Sequence, residues 1–190
     1  MDKQTLVSRL DPKSAKMTSS YIAALAEDKG FPAEVWHDVS YNNGNPSVAF
    51  RAARVLEHIA THHPTRFIPI LSRFIERLPK QRNLSCQRHF TKILMLISST
   101  KAPSIYKDAY AGVDSELVIE TVFSWLIDPR TPVAVQVNCM DVLLNICSET
   151  TWIAEELQRQ IEFLMRDGSA AVQSRGKKAL AKLHKIRNAG

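Results

Sequence analysis

Four cations near the middle of the chain, Arg66, Arg73, Arg77 and Lys80, are spaced to share one face of a helix. Aligned guanidinium groups hold carboxylates or phosphates through paired hydrogen bonds, so the chemistry on offer is reception of an anion. The local charge agrees: from Pro64 to Lys101 eight basic residues stand against one acid, Glu76. A second basic run, Arg175, Lys177, Lys178, Lys182, Lys185 and Arg187, contains no acid. Cations in the last turns of a helix complement its dipole, which accounts for much of that run without any ligand. The central cluster has an equally plain alternative, a solvated face whose partners are acids on neighbouring helices.

Other groupings carry less chemistry. His58 and His62 lie one helical turn apart, the spacing of a paired metal site, but the order is not His-Glu-x-x-His and a third ligand is missing nearby. No metal or cofactor is therefore expected. Trp36 with Asp38, Trp125 with Asp128, and Trp152 with Glu155 or Glu156 bring aromatics near carboxylates, yet these tryptophans fall at apolar stripe positions, where core packing is the ordinary role. Cys86, Cys139 and Cys147 are too widely spaced for a Cys-x-x-Cys site and sit among apolar neighbours, so buried reduced thiols are expected. Gly-rich phosphate loops, nucleophile elbows and paired catalytic carboxylates are absent from the sequence.

The elements that must position these residues are helices. Val48, Ala52, Val55 and Ile59 follow the spacing i, i+4, i+7, i+11, and Cys86, Phe90, Ile93 and Ile97 repeat it. So do Val133, Val137, Met140 and Leu144, then Val172, Gly176, Ala179 and Leu183, with Gly176 the weak member. At 3.6 residues per turn each set occupies an arc of about 60°, one narrow apolar stripe. The period is about 38 residues once an insertion of roughly nine, within 100–114, is set aside. Asn45-Pro46, Asn83, Thr131-Pro132 and Ser169 precede the stripes and supply helix caps. Second helices follow at Phe67–Leu78, Leu117–Leu126 and Trp152–Leu164, with Pro69 marking a helix start or a kink. Residues 1–44 read as a degraded N-terminal cap repeat, in which 12–42 makes two helices, and 169–187 as a C-terminal capping helix. The whole of 1–190 is one array. Tyr106 and Tyr110 in the insertion form a short helix over its groove.

Paired helices at this period, with Val-Ala-Phe-Arg-Ala-Ala-Arg-Val-Leu at Val48–Leu56, resemble HEAT or armadillo-type α-solenoids. Arg51–Glu57, Phe123–Asp128 and Trp152–Leu157 are similar to segments of a family of small bacterial HEAT-like proteins that often carries the name adenylosuccinate lyase. The lyase signature, a Ser-Ser-x-Met-Pro-x-Lys-x-Asn loop, is not matched by Ser98-Ser99-Thr100-Lys101-Ala102-Pro103, so that activity is unsupported. The resemblance implies an all-α, right-handed superhelix of four to five antiparallel helix pairs, with second helices lining a concave groove.

The composition fits. The chain has 190 residues, 45% of them hydrophobic and 23% charged, with a net charge of +6, which excludes a large multidomain enzyme and a disordered chain. It lacks an apolar stretch long enough to span a bilayer or a secretory leader at its start, so a soluble cytoplasmic protein with no membrane partner is expected. The expected function is a non-catalytic scaffold presenting a concave, partly basic surface to a protein or peptide, an acidic one fitting best. The expected contact is Arg66, Arg73, Arg77 and Lys80, assisted by Tyr106. The alternative is a nucleic-acid-binding or DNA-repair protein related to HEAT-like alkylpurine DNA glycosylases. Self-association is left open.

Overall fold

Capped amphipathic segments become helices throughout. The structure, a computed structural model, describes residues 3–11, 16–42, 44–147 and 151–189, among which no strand occurs. Along the chain run α1 (Lys3–Arg9), α2 (Ser19–Glu27), α3 (Ala33–Val39), α4 (Pro46–His62), α5 (Pro64–Phe67), α6 (Leu71–Arg77) and α7 (Leu84–Ile97). Then come α8 (Ser104–Tyr110), α9 (Ser115–Ile127), α10 (Val133–Ile146), α11 (Thr151–Met165) and α12 (Ala170–Ala189). Residues 12–15 of the expected N-terminal helices and the side chain of Arg187 lie outside the described residues.

The helices pack in two layers. In the first, α2, α4, α7, α10 and α12 each lie against the next. In the second, α3, α5–α6, α9 and α11 cover the first, with α3 on α4, α9 on α10, and α11 on both α10 and α12. Four helix–turn–helix units thus precede the single helix α12. Buried apolar side chains run through them as one core, which also takes in Leu6 and Leu10 around α1, a helix the sequence reading does not anticipate.

Side-chain caps set several of the starts. Asn45 Oδ1 accepts from Val48 N–H at 3.2 Å, and Asn83 Oδ1 accepts from Ser85 and Cys86 N–H at 3.0 and 3.3 Å. Thr131 is not a cap: it is buried, and Pro132 holds the capping position of α10 without a side-chain bond. Pro69 sits in a 3₁₀ turn, Ile68–Ile70, that separates α5 from α6.

The stripes at Val48 and Cys86 are buried along their length. The third is shifted by two residues. Val133 is 38% exposed, and the buried set is Val135, Cys139, Val142 and Ile146, with the same offsets. The reason is that α10 packs on α7, α9, α11 and α12, so Met140, Leu143 and Leu144 are buried as well and two stripes compete in the sequence. Gly176 is no weak point: a Cβ there would meet Met165 Sδ at 2.5 Å and Ile161 Cγ2 at 3.1 Å, so its lack of a side chain lets α12 lie close against α11. The three cysteines are free and buried, and burial pushes the Cys86 thiol up to about 12.

Candidate binding surfaces

The four central cations do not form one open face. Arg66 stands on α5, before the break at Pro69, and its guanidinium donates to the backbone carbonyls of Ala26, Asp28 and Phe31, the last two at 3.1 and 3.0 Å. It closes the C-terminal end of α2 and the turn into α3. Arg73 and Arg77 on α6 both reach the Asp38 carboxylate of α3, at 2.9 and 2.5 Å. Arg77 also lies over the Tyr41 ring, 4.1 Å from its centroid, while the Tyr41 hydroxyl donates to the Arg77 carbonyl at 2.8 Å. Lys80 is exposed at the end of a 3₁₀ turn. The arginines are therefore spent on holding α3 to α5 and α6, the plainer of the two sequence readings.

Tyr106 is corrected too. The insertion does form a short helix, α8, but Tyr106 is fully buried, donates its hydroxyl to the Ala60 carbonyl and packs edge-on to Phe67, ring centroids 6.3 Å apart. A tyrosine in that position anchors α8 to α4 and α5 and offers no surface to a partner.

The first layer carries a different arrangement. Polar side chains link α4 to α7, α7 to α10 and α10 to α12. Glu57 on α4 binds His89 and Lys92 on α7, the latter at 2.9 Å. Burial opposes ionisation of Glu57, but the hydrogen bonds from His89 and Lys92 outweigh it and hold the carboxyl below its ordinary value. Asn138 on α10 donates to Thr91 Oγ1 at 3.1 Å and Asn145 to Ser98 Oγ at 3.2 Å. Asp141 meets Arg175 on α12 at 2.6 Å. Burial there wins over Arg175 and the nearby charge of Lys182, and the Asp141 carboxyl sits above its ordinary value.

Beyond these links the first layer keeps a surplus of cations. Arg88 on α7 and Lys178, Lys182 and Lys185 on α12 are exposed, and they enter none of the ion pairs among the described residues. The three lysines lie at i, i+4 and i+7 on one face of α12. Helical periodicity alone would have found that face; what sequence could not supply was the knowledge that the central arginines were already occupied.

The histidine and tryptophan clusters also resolve. His58 and His62 stack with ring centroids 4.1 Å apart, and His62 Nδ1 lies 3.1 Å from the His58 carbonyl oxygen. Among the described residues no three His, Cys, Asp or Glu side chains converge as a metal site. Trp36 and Trp125 are buried as expected, whereas Trp152 is 52% exposed and stacks on Phe123 at 6.1 Å. Trp125 and Asp128 share a shallow cleft of about 320 Å³ with Arg82, Leu84 and Gln87. Asp128 is already bound by Arg130 at 2.8 Å, and that hydrogen bond lowers its carboxyl pKa to about 2.

This two-layer array of helix pairs defines a helical-repeat scaffold, and the family comparison agrees. A family described as HEAT repeat domain matches residues 3–183, and the chain belongs to that family. It is similar in structure to an engineered protein solved by crystallography, at 17% identity over 98% of both chains and a TM-score of 0.41. No curated protein matches the chain. Among the described residues no helix is long and apolar enough to cross a membrane.

Proposed function

We propose that the protein is a non-catalytic scaffold whose first helical layer, at α7 and α12, binds an acidic segment of another protein. The observation that carries this is the row Lys178, Lys182 and Lys185, exposed and outside the ion pairs among the described residues. An extended helical array offers length and shape without a deep pocket, which suits a chain-like partner better than a small substrate. Exposed surface lysines steer such a partner and set its register.

The DNA-repair alternative needs an exposed tryptophan beside a free aspartate on a basic surface. Trp36 and Trp125 are buried, Asp38 and Asp128 are held by arginines, and Trp152 stands among glutamates. These features favour a protein partner over DNA repair.

The test is binding of a labelled Asp/Glu-rich peptide and of a short DNA duplex, each as a function of salt. Wild type is compared with Lys178→Glu/Lys182→Glu and with Arg73→Glu/Arg77→Glu. The acidic peptide should bind and be lost in the lysine variant alone. Tight duplex binding with a steep salt slope would replace this reading with the nucleic-acid one.

A further inference from the structure

The second layer of the C-terminal half has the opposite character. On α9, Glu116, Glu120, Phe123 and Ile127 follow i, i+4, i+7, i+11, the spacing of one face. Glu116, Glu120 and Ile127 are exposed, Ile127 by 54%, and Phe123 is half-buried. On α11, Trp152, Glu155, Arg159 and Phe163 form the corresponding face, with Phe163 62% exposed. The stacked rings of Phe123 and Trp152 join the two faces.

Charge on these helices is one-sided. Glu116, Glu120, Glu155, Glu156 and Glu162 stand against the single cation Arg159. Arg159 is taken by Glu156 at 2.6 Å, and Glu116, Glu120 and Glu155 enter none of the ion pairs among the described residues. Of the large exposed apolar residues among the described ones, Ile127, Trp152 and Phe163 stand on these two helices, while Leu84 and Val133 open the first turns of α7 and α10 in the other layer. Exposed aromatics in such a group mark interaction sites on a soluble domain. Their chemistry is already in use once, since the Arg166 guanidinium lies 5.7 Å from the Phe163 ring centroid.

We propose that the outer face of α9 and α11 is a second docking surface, and that its partner is a protein segment carrying Lys or Arg together with apolar side chains. Cationic heads would pair with Glu116, Glu120 and Glu155 and lie over Trp152, while apolar groups cover Phe123 and Ile127. This surface lies on the other layer from the lysine row of α12 and is opposite in sign, so it goes beyond the function proposed above and fails or stands independently of it.

The experiment uses the full chain and a synthetic amphipathic helix of Leu and Lys, fluorescein-labelled, followed by anisotropy. Trp152→Glu and Glu120→Lys/Glu155→Lys alter exposed side chains only, and circular dichroism checks that each variant keeps its helices. Each should weaken binding by about tenfold or more, and added salt should weaken it in wild type. Lys178→Glu/Lys182→Glu should leave binding no weaker. Equal affinity in all variants, or no saturable binding, overturns the proposal. Sedimentation velocity provides the other decisive arm: salt-sensitive self-association that Glu120→Lys/Glu155→Lys abolishes would overturn it in favour of a second copy, whose α12 face would then be the cation.

Discussion

One carboxylate, that of Asp38, receives both Arg73 and Arg77, at 2.9 and 2.5 Å, and so ties α6 to α3. The Asp38 and Arg77 side chains are about one-third and one-quarter exposed, so the pair is neither a screened surface contact nor a dry one. Asp38→Ala is expected to cost about 1 kcal/mol in chemical denaturation, most of it from leaving Arg77 half-buried without its partner. Arg73→Ala, on the more exposed arginine, should cost less than Arg77→Ala. Equal losses would mean that the two arginines share the carboxylate evenly.

Arg66 is a structural clamp in this arrangement. Its guanidinium satisfies three carbonyls that close α2 and begin the turn to α3. Arg66→Ala should destabilise the fold by about 2 kcal/mol, the value expected when hydrogen bonds to a charged group are removed and acceptors are left unpaired. Arg66→Lys should recover only a minor part, because an ammonium group lacks the planar fork that reaches several acceptors at once. Hydrogen exchange of the amides in α2 and α3 would report the loosened junction.

His37 makes stability depend on acid. The ring is fully buried between Tyr41, Phe74 and Phe90, neither nitrogen has a hydrogen-bond partner among the described residues, and burial, reinforced by Arg77, lowers its pKa from 6.5 to about 3. The unfolded chain therefore binds a proton that the folded chain refuses between those two values. Its contribution is fully present above about pH 6.5 and is lost as the pH falls toward 3, at up to about 1.4 kcal/mol per pH unit. Denaturation series at stepped pH should show this slope in wild type and a shallower one in His37→Phe, which keeps an aromatic ring in the cluster without the titrating group.

Two glycines near α12 should respond differently to alanine. A Cβ at Gly168 would collide with the Leu164 carbonyl oxygen and crowd Val172 Cγ1 at 2.7 Å, so backbone must move. Gly168→Ala is expected to cost about 1–3 kcal/mol. At Gly176 the added Cβ would meet Met165 Sδ at 2.5 Å and Ile161 Cγ2 at 3.1 Å, side chains and not backbone, and a helical alanine regains up to about 1 kcal/mol of propensity, so Gly176→Ala should cost less than Gly168→Ala. Thermal melts of the two variants side by side decide it.

The helical class, the repeat, the caps Asn45 and Asn83 and the buried stripes from Val48 and Cys86 were all legible in the sequence. Each depends on residues within a few turns of one another, where backbone geometry alone sets which side chains share a face. The register of α10 was not legible, because a helix packed on several neighbours buries more than one stripe. Nor was the fate of the charges. Arg73 and Asp38 are 35 residues apart and Arg66 and Ala26 are 40 apart, so the pairing exists only once α5 and α6 land beside α2 and α3. Tyr106 turned inward for the same reason, finding its acceptor on Ala60, 46 residues earlier. Trp152 turned outward although its spacing fits a stripe, because α11 buries Ile153, Leu157 and Ile161 instead. Local spacing specifies what a helix presents; only the packing of one helix on another decides whether that face meets a partner within the chain or is left for one outside it.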